Sequence, residues 1–201
     1  MFDRQVYPNL IHDYRSSGQT WLDYYYRDMD GQADASRVGE HLFDAGIKVK
    51  PLPPRTLVVS MNGVSSPLKV DWEWVKHIIN RLREVGLIQK VAYTCAQHES
   101  CPIEVDILDH SPTWELPYLL KTARLALMRN SGPAWMAYSI QLPTLHVLDS
   151  CFPTTDSAGL TREGQFLKHA PWMVPLEHAC SRTQFELAIG AVASFERARC
   201  E

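Results

Sequence analysis

Two polar loops of this chain carry residue types that bind anions. The first is SMNGVSSPLKVDW, residues 60–72, in which the cation of Lys69 precedes a helical pattern. Its small residues, Asn62, Gly63, Ser65 and Ser66, offer backbone N–H groups and hydroxyls. The helix N-terminus that follows adds a partial positive charge, so this loop is suited to a phosphate. The G-x-x-x-x-G-K-[ST] spacing of a P-loop is absent, and a solvated surface lysine is the alternative interpretation.

The second loop is RNSGPAWMAYSIQLPT, residues 129–144. Gly132 allows a close approach of the backbone, and Pro133 suits a first helical turn, where its missing N–H needs no partner. Asn130 or Ser131 can cap the helix that follows. The free N–H groups of that helix would then face a diphosphate or a ribose. A capped core helix without a ligand is the alternative.

The elements that must position these loops alternate along the chain. The strand segments are TLVVSM, QKVAYTCA, VDILD, RLALM and PTLHVLDS, and the helical segments are VDWEWVKHIINRLREVG, TWELPYLLKTA, GPAWMAYSIQ and TQFELAIGAVASFERA. This alternation predicts an α/β fold with a mostly parallel, Rossmann-like sheet and helices on both faces. Because ligands bind at the carboxyl ends of parallel strands, both loops are expected at one edge of the sheet.

Several residues predict where these helices begin, end and bury one side. Gly86 is a plausible stop for the first helix, and Thr113 is a reasonable cap for the second. Pro117 then falls in the first turn or so of the second helix, where proline is tolerated. Helical spacing puts Phe185, Ile189 and Val192 on one face of the last helix.

The pattern divides the chain into residues 1–54 and 55–201. The first part is expected to be a short N-terminal appendage, with the irregular aromatic segment TWLDYYYRDMDG and a helix over DASRVGEHLFDAGIKV. A stiff connector, KPLPPR, leads to the α/β domain. The aromatic segment either fastens the appendage to the domain or forms a surface for a protein partner, which would make the chain a scaffold protein.

Composition narrows the class of protein. The formal net charge of −3 provides no general field for binding nucleic acid. No apolar run approaches the roughly 20 residues that span a bilayer, and the start has no signal-peptide pattern. The five cysteines are widely spaced, which predicts reduced thiols in a cytoplasmic protein. A zinc site built from cysteine and histidine is the alternative.

Two weaker clusters also carry reactive residue types. Asp109, His110 and Glu115 surround a turn, where helix capping and a surface role are favoured. Thr154, Thr155 and Asp156 follow the last predicted strand, and a polar loop is the favoured interpretation. Neither cluster, from its spacing, defines a catalytic constellation.

The order of the two loops resembles a known family. Residues of about 55–195 are similar to the nucleotide-sugar-binding, C-terminal half of the ADP-heptose:lipopolysaccharide heptosyltransferase family of GT-B glycosyltransferases. VSSPLKVDWEWVKHIINRL resembles its loop of small hydroxyl residues followed by lysine and tryptophan. NSGPAWMAYSIQLPT resembles its motif Asp-Ser-Gly-Pro-x-His-Leu-Ala, which is followed by a helix and Pro-Thr before a strand. The last helix is also similar.

The resemblance implies a donor site for a nucleotide-diphosphate sugar. It places the diphosphate near Lys69 and the Ser131–Gly132 turn, which Pro133 follows, and it places Ser65 beside the phosphates. Glu99 is a looser candidate for contact with the nucleoside. No cofactor or metal is expected, because the lysine and the helix dipole would stabilise the leaving diphosphate.

Two departures from the family leave the function open. Asn130 stands where the family usually has aspartate, and Trp135 stands where it usually has histidine. The N-terminal acceptor half is also missing, so a second copy of the chain, another protein or residues 1–54 would have to supply it. The sequence selects no general base, with Asp13, Asp23 or Asp28 as the choices available. The expectation is therefore a glycosyltransferase-like protein or, alternatively, a non-catalytic nucleotide or nucleotide-sugar binding module.

Overall fold

The computed structural model describes residues 49–61, 70–95, 101–111, 115–129, 131–148, 172–177 and 180–200. These ranges contain six strands: β1 (Thr56–Ser60), β2 (Lys90–Thr94), β3 (Ile107–Asp109), β4 (Leu125–Arg129), β5 (Thr144–Leu148) and β6 (Met173–Glu177). They also contain four helices: α1 (Trp72–Glu84), α2 (Leu116–Lys121), α3 (Gly132–Ser139) and α4 (Arg182–Cys200). Of these four helices, none is both long and apolar enough to cross a membrane. The aromatic segment and the helix expected in the N-terminal appendage lie outside the described residues.

The six strands form one parallel sheet. Their order is β3-β2-β1-β4-β5-β6, and each neighbouring pair is parallel. β1 and β4 are almost entirely buried, in agreement with their continuous apolar sequences. The predicted α/β fold, a Rossmann-like parallel sheet, is confirmed.

Helices cover both faces of the sheet. The α1/α4 face buries large side chains of α1, such as Ile78 and Leu82, against strand residues such as Leu57 and Leu127. The predicted face of α4, formed by Phe185, Ile189 and Val192, belongs to this cluster. The α2/α3 face is a separate cluster, and many of its members are alanines: Ala92, Ala123, Ala126, Ala134 and Ala137.

The connector before β1 is fastened to the α2/α3 face. Leu52 is buried in that cluster, and its backbone N–H donates to Thr122 Oγ1 at 3.0 Å. The hydroxyl of Thr56 in turn donates to the Pro53 carbonyl at 2.6 Å. These contacts set the position at which the chain enters the central strand of the sheet.

The helix boundaries follow from capping and from proline. Asp71 caps α1 by accepting from the Trp74 N–H at 3.1 Å, and Gly86 follows this helix with φ 73°, so the predicted stop is confirmed. The predicted cap of α2 is wrong, because Glu115 and not Thr113 occupies that position. A cap at Thr113 would make Pro117 the first residue whose N–H must bond within the helix, and proline has none. With the observed start, Pro117 lies in the first turn.

Sequence analysis missed β6, an edge strand with a proline at its centre. The Trp172 carbonyl accepts from the Thr144 N–H at 2.8 Å, so the backbone groups of residue 172 face β5. Alternation along a parallel ladder then points the groups of Val174 toward β5 and those of Pro175 away from it. The missing N–H of Pro175 therefore lies on the outer edge, where β5 loses no hydrogen bond.

Candidate functional site

The candidate site lies where the carboxyl ends of β1 and β4 meet. Ser60 at the end of β1 is paired with Met128 near the end of β4. From β1 the chain continues through α1 to β2 on one side, whereas from β4 it continues through α3 to β5 on the other. The strand order therefore reverses between β1 and β4, and ligands of open α/β sheets bind at such a point. The two loops predicted to bind an anion begin at these two strand ends.

The structure describes the positions of only some of the residues predicted for the donor site. Four of them lie outside the described residues: Ser65, Lys69, Glu99 and Asn130. Trp135 lies within α3, but its side chain is not among those described. Ser131, Gly132 and Pro133 form the start of α3 at the reversal of the strand order. These three are the predicted residues whose position is known, and the others stay predictions.

The start of α3 carries Ser131 at the cap position and an exposed glycine, Gly132, in the first turn. Ser131 occupies the predicted cap position with extended backbone, but its side chain makes no cap hydrogen bond. Its hydroxyl instead donates backward to the Arg129 carbonyl at 3.0 Å. No described atom lies within 4 Å of the point where a Cβ on Gly132 would stand. A methyl group at position 132 would therefore meet no described atom, and the helix N-terminus beside it carries the partial positive charge that suits an anion.

Arg129 is a site residue that sequence analysis missed. It is the last residue of β4, and only 4% of it is exposed. Arg129 has at least one polar or electrostatic interaction with the protein. One sequence signal could have identified Arg129: it is a cation at the end of an otherwise apolar strand, directly before the NSGP turn. Arg129 adds positive charge at the edge where the sequence predicts an anion.

The Asp109, His110 and Glu115 cluster does not converge on one point. Asp109 accepts from the Ser111 hydroxyl at 2.7 Å and from its N–H at 3.3 Å, which stabilises the turn after β3. Glu115 occupies the cap position of α2 without a side-chain cap hydrogen bond. His110 instead contacts Cys95 after the neighbouring strand β2. Glu115 therefore lies at the start of α2 as expected, but its side chain caps no N–H there, and His110 has a separate environment.

The cysteines whose side chains are described are thiols at three separate positions, Cys95, Cys101 and Cys180. Burial raises the pKa of the Cys180 thiol, and the nearby carboxylate of Glu177 raises it further. Within the described ranges, no group of three or more histidine, cysteine or acidic side chains is arranged to hold a metal ion. The loop with Thr154, Thr155 and Asp156 lies outside them.

Comparisons with known proteins give one structural likeness. No protein-family model matches the sequence, and no curated protein matches it significantly. Among solved structures, the chain is similar to the iron-containing dodecameric glycosyltransferase TibC from enterotoxigenic E. coli H10407, with 14% sequence identity and a TM-score of 0.47. The match covers 77% of this chain and 48% of the TibC chain. The chain therefore spans about half the length of that protein.

Proposed function

We propose that this chain is a glycosyltransferase-like protein that binds a nucleotide-diphosphate sugar between the carboxyl ends of β1 and β4 and transfers the sugar to an acceptor. The observation that carries the proposal is the pairing of β1 with β4. It brings the origin of the VSSPLK loop next to the NSGP start of α3, and these are the two segments that resemble a heptosyltransferase donor site. The reversal of strand order at this position supports ligand binding there.

The proposed donor site neutralises a diphosphate by fixed charges. The first turn of α3 at Ser131 and Gly132 directs N–H groups toward the phosphates, and Lys69 supplies a cation from the other loop. Ser65 lies beside the phosphates in this proposal, and Glu99 contacts the nucleoside. Arg129 adds a buried positive charge at the same edge. This arrangement stabilises the leaving nucleoside diphosphate without a metal ion.

The acceptor has to be bound by a part of the protein other than the α/β sheet. Residues 1–54, a second copy of the chain or another protein supplies that part in the proposal. Transfer therefore requires the partner that completes the cleft, whereas donor binding does not.

A non-catalytic binding module is the second candidate function. The observation that favours it is the chemistry of the described residues at the two strand ends, which are Ser60, Met61, Met128, Arg129, Ser131 and Gly132. None of these is a carboxylate or an imidazole, so none can accept a proton from an acceptor hydroxyl near neutral pH. Asn130 and Trp135 also replace the acid and the imidazole of the family motif.

Substitution of Gly132 by alanine tests the site. The added Cβ meets no described atom within 4 Å, and the backbone φ of Gly132 is not positive, so ligand-free stability should change by less than about 0.5 kcal/mol. The same methyl group would stand where the phosphates are proposed, so the stabilisation by ligand should disappear. That stabilisation is about 2.7 kcal/mol at a ligand concentration 100 times Kd. The measurement is thermal unfolding with ADP-, UDP- and GDP-sugars.

Gly190→Ala is the matched control. Gly190 lies within α4 and likewise has no described atom within 4 Å of an added Cβ. This variant should be more stable than the wild type by about 0.5–1 kcal/mol, because alanine is the better helix former, and should keep the ligand effect. Equal ligand effects in Gly132→Ala and Gly190→Ala would exclude α3 from the site. Lys69→Ala should lose the effect as well.

Release of nucleoside diphosphate separates the two functions. The full chain is incubated with the sugar nucleotide that stabilises it and with cell extract as a source of partner and acceptor. Release that depends on both the chain and Gly132 indicates transfer. Ligand stabilisation without release under any of these conditions would leave the binding module as the function.

A further inference from the structure

A cysteine and a histidine meet beyond the ends of β2 and β3. Thr94 and Asp109 are partners at the ends of these strands, and the Cys95 N–H donates to the Asp109 carbonyl at 3.2 Å. The residue that follows β3 is His110, and its Nδ1 lies 3.8 Å from Cys95 Sγ. A cysteine and a histidine in contact form a pair of the kind that can stabilise a thiolate.

The hydrogen-bond geometry fixes which atom of the pair carries the proton. His110 Nδ1 lies 3.1 Å from the Cys95 carbonyl oxygen, and a carbonyl oxygen can only accept. Nδ1 must therefore be protonated, and its N–H is shared between this oxygen and Cys95 Sγ. A donor directed at sulfur is a stronger partner for the negative thiolate than for the neutral thiol. The geometry thus favours the nucleophilic form of Cys95.

The other two described cysteines have environments of the opposite kind. The Cys101 S–H donates to the Ile103 carbonyl at 3.0 Å, an interaction that only the protonated thiol can make. Cys180 is desolvated and lies near the carboxylate of Glu177, both of which disfavour its thiolate. All three side chains are half-buried, so exposure does not distinguish them. The hydrogen bond donated to sulfur distinguishes Cys95 from Cys101 and Cys180.

We propose that Cys95 is a reactive thiol, with His110 as its positioning residue, and that it forms mixed disulfides with small disulfide compounds. The Cys95 thiolate, its proton released to solvent, attacks one sulfur of the disulfide RSSR. The S–S bond of RSSR breaks, a Cys95–S–S–R bond forms, and the departing thiolate RS⁻ takes a proton from solvent. Two electrons pass from the Cys95 sulfur to the leaving sulfur, so the small disulfide is the oxidant.

The position of Cys95 places this modification at the edge that carries the candidate site. The β1–β2 register pairs Val59 with Tyr93, and Met61 and Cys95 are the residues that directly follow these two neighbouring strands. Met61 immediately precedes the loop of residues 62–69. The reactivity of Cys95 does not depend on the proposed function, since it follows from the contact with His110 alone.

Peptide-resolved labelling tests the proposal. The full chain is treated at a single neutral pH with oxidised glutathione, quenched at intervals with acid and digested, and fragmentation spectra locate the mixed disulfide on each cysteine. Cys95 should react at least about tenfold faster than Cys101 and Cys180. A Cys95 rate equal to or below that of Cys180 would overturn the proposal without any variant.

Two variants test the role of His110. His110→Leu removes the donor and should slow Cys95 about tenfold, with Cys101 and Cys180 unchanged. His110→Asn keeps an N–H donor near the position of Nδ1 and should retain most of the wild-type rate. A merely structural role predicts faster labelling of all three cysteines in His110→Leu. An unchanged Cys95 rate in His110→Leu would remove His110 from the site.

Discussion

The α1/α4 face and the α2/α3 face of the sheet are packed with side chains of different size. On the α1/α4 face, α1 and α4 of 13 and 19 residues bury valine, leucine, isoleucine and phenylalanine against similarly large strand residues. On the α2/α3 face, α2 and α3 have six and eight residues. Alanines occupy the strands and α3, whereas α2 buries leucines. Small side chains let a helix approach the sheet closely, whereas large ones bury more apolar area.

The difference indicates that the α1/α4 face supplies most of the stability, whereas the α2/α3 face positions the helix at the candidate site. Most of the large buried side chains lie under α1 and α4, so most of the hydrophobic stabilisation should come from that side. The helix that begins at the candidate site, α3, belongs to the other side and is located by Ala134 and Ala137. We therefore expect large-to-small substitutions to lower the free energy of unfolding most on the α1/α4 face. Small-to-large substitutions should lower it on the α2/α3 face.

The largest effect is expected for Leu82→Ala. Leu82 is completely buried between α1 and the sheet, and its truncation leaves a cavity that costs about 2–5 kcal/mol. Urea unfolding measures this change. Leu187→Ala is the control, because Leu187 on α4 is 68% exposed and should change stability by less than about 0.5 kcal/mol. Equal costs for the two variants would contradict the packing described for the α1/α4 face.

A smaller loss is expected for Ala126→Leu. Ala126 is completely buried in β4 beneath the α2/α3 face. Leucine there would force the helices away from the sheet at a cost of about 1–3 kcal/mol. Because α3 moves with this face, the stabilisation by a sugar nucleotide should fall as well. Ala191→Leu, on the exposed side of α4, is the control of equal size. A fully stable Ala126→Leu variant would mean that this face tolerates larger residues.

The smallest effect is expected from the ion pair between the two helices of the α1/α4 face. Arg81 Nε and one terminal guanidinium nitrogen donate to the two carboxylate oxygens of Glu186 at 3.0 and 2.9 Å, and these hydrogen bonds hold the pKa of Glu186 below its usual range. The contribution of this carboxylate is therefore fully present above the unfolded-state pKa of about 4.3. It is lost as the pH falls through the lowered pKa.

Glu186→Gln should accordingly lower the unfolding midpoint slightly at pH 7, and less in high salt. The difference from the wild type should shrink in urea titrations below about pH 4. Glu104→Gln makes the same charge change at an exposed position between β2 and β3 and controls for net charge. A difference that is constant down to the acid limit would show that the pair contributes nothing through its charge.

The sequence predicted those parts of the molecule that depend on local signals. Continuous apolar strands, Gly86 and the apolar face of α4 indicated the parallel sheet and its helices. Local signals failed at two prolines whose effect depends on their exact position in an element. Pro117 is compatible with α2 only because the helix begins at Leu116, and Pro175 made the β6 segment look unlike a strand. Local signals also carry no information on strand order. The neighbours of β1, the burial of Arg129 and the meeting of Cys95 with His110 arise from pairings between distant segments, which periodicity cannot reveal.

The outward-facing Pro175 also limits whether a further strand can pair with the β6 edge of the sheet. A seventh strand would have to draw a hydrogen-bond donor from the middle of β6, and the pyrrolidine ring offers a methylene group there instead. The β6 edge is therefore a poor template for strand pairing with another copy of the chain, which opposes aggregation through this edge. A protein that packs against this edge would have to contact side chains at the centre of β6, because residue 175 offers no backbone donor there.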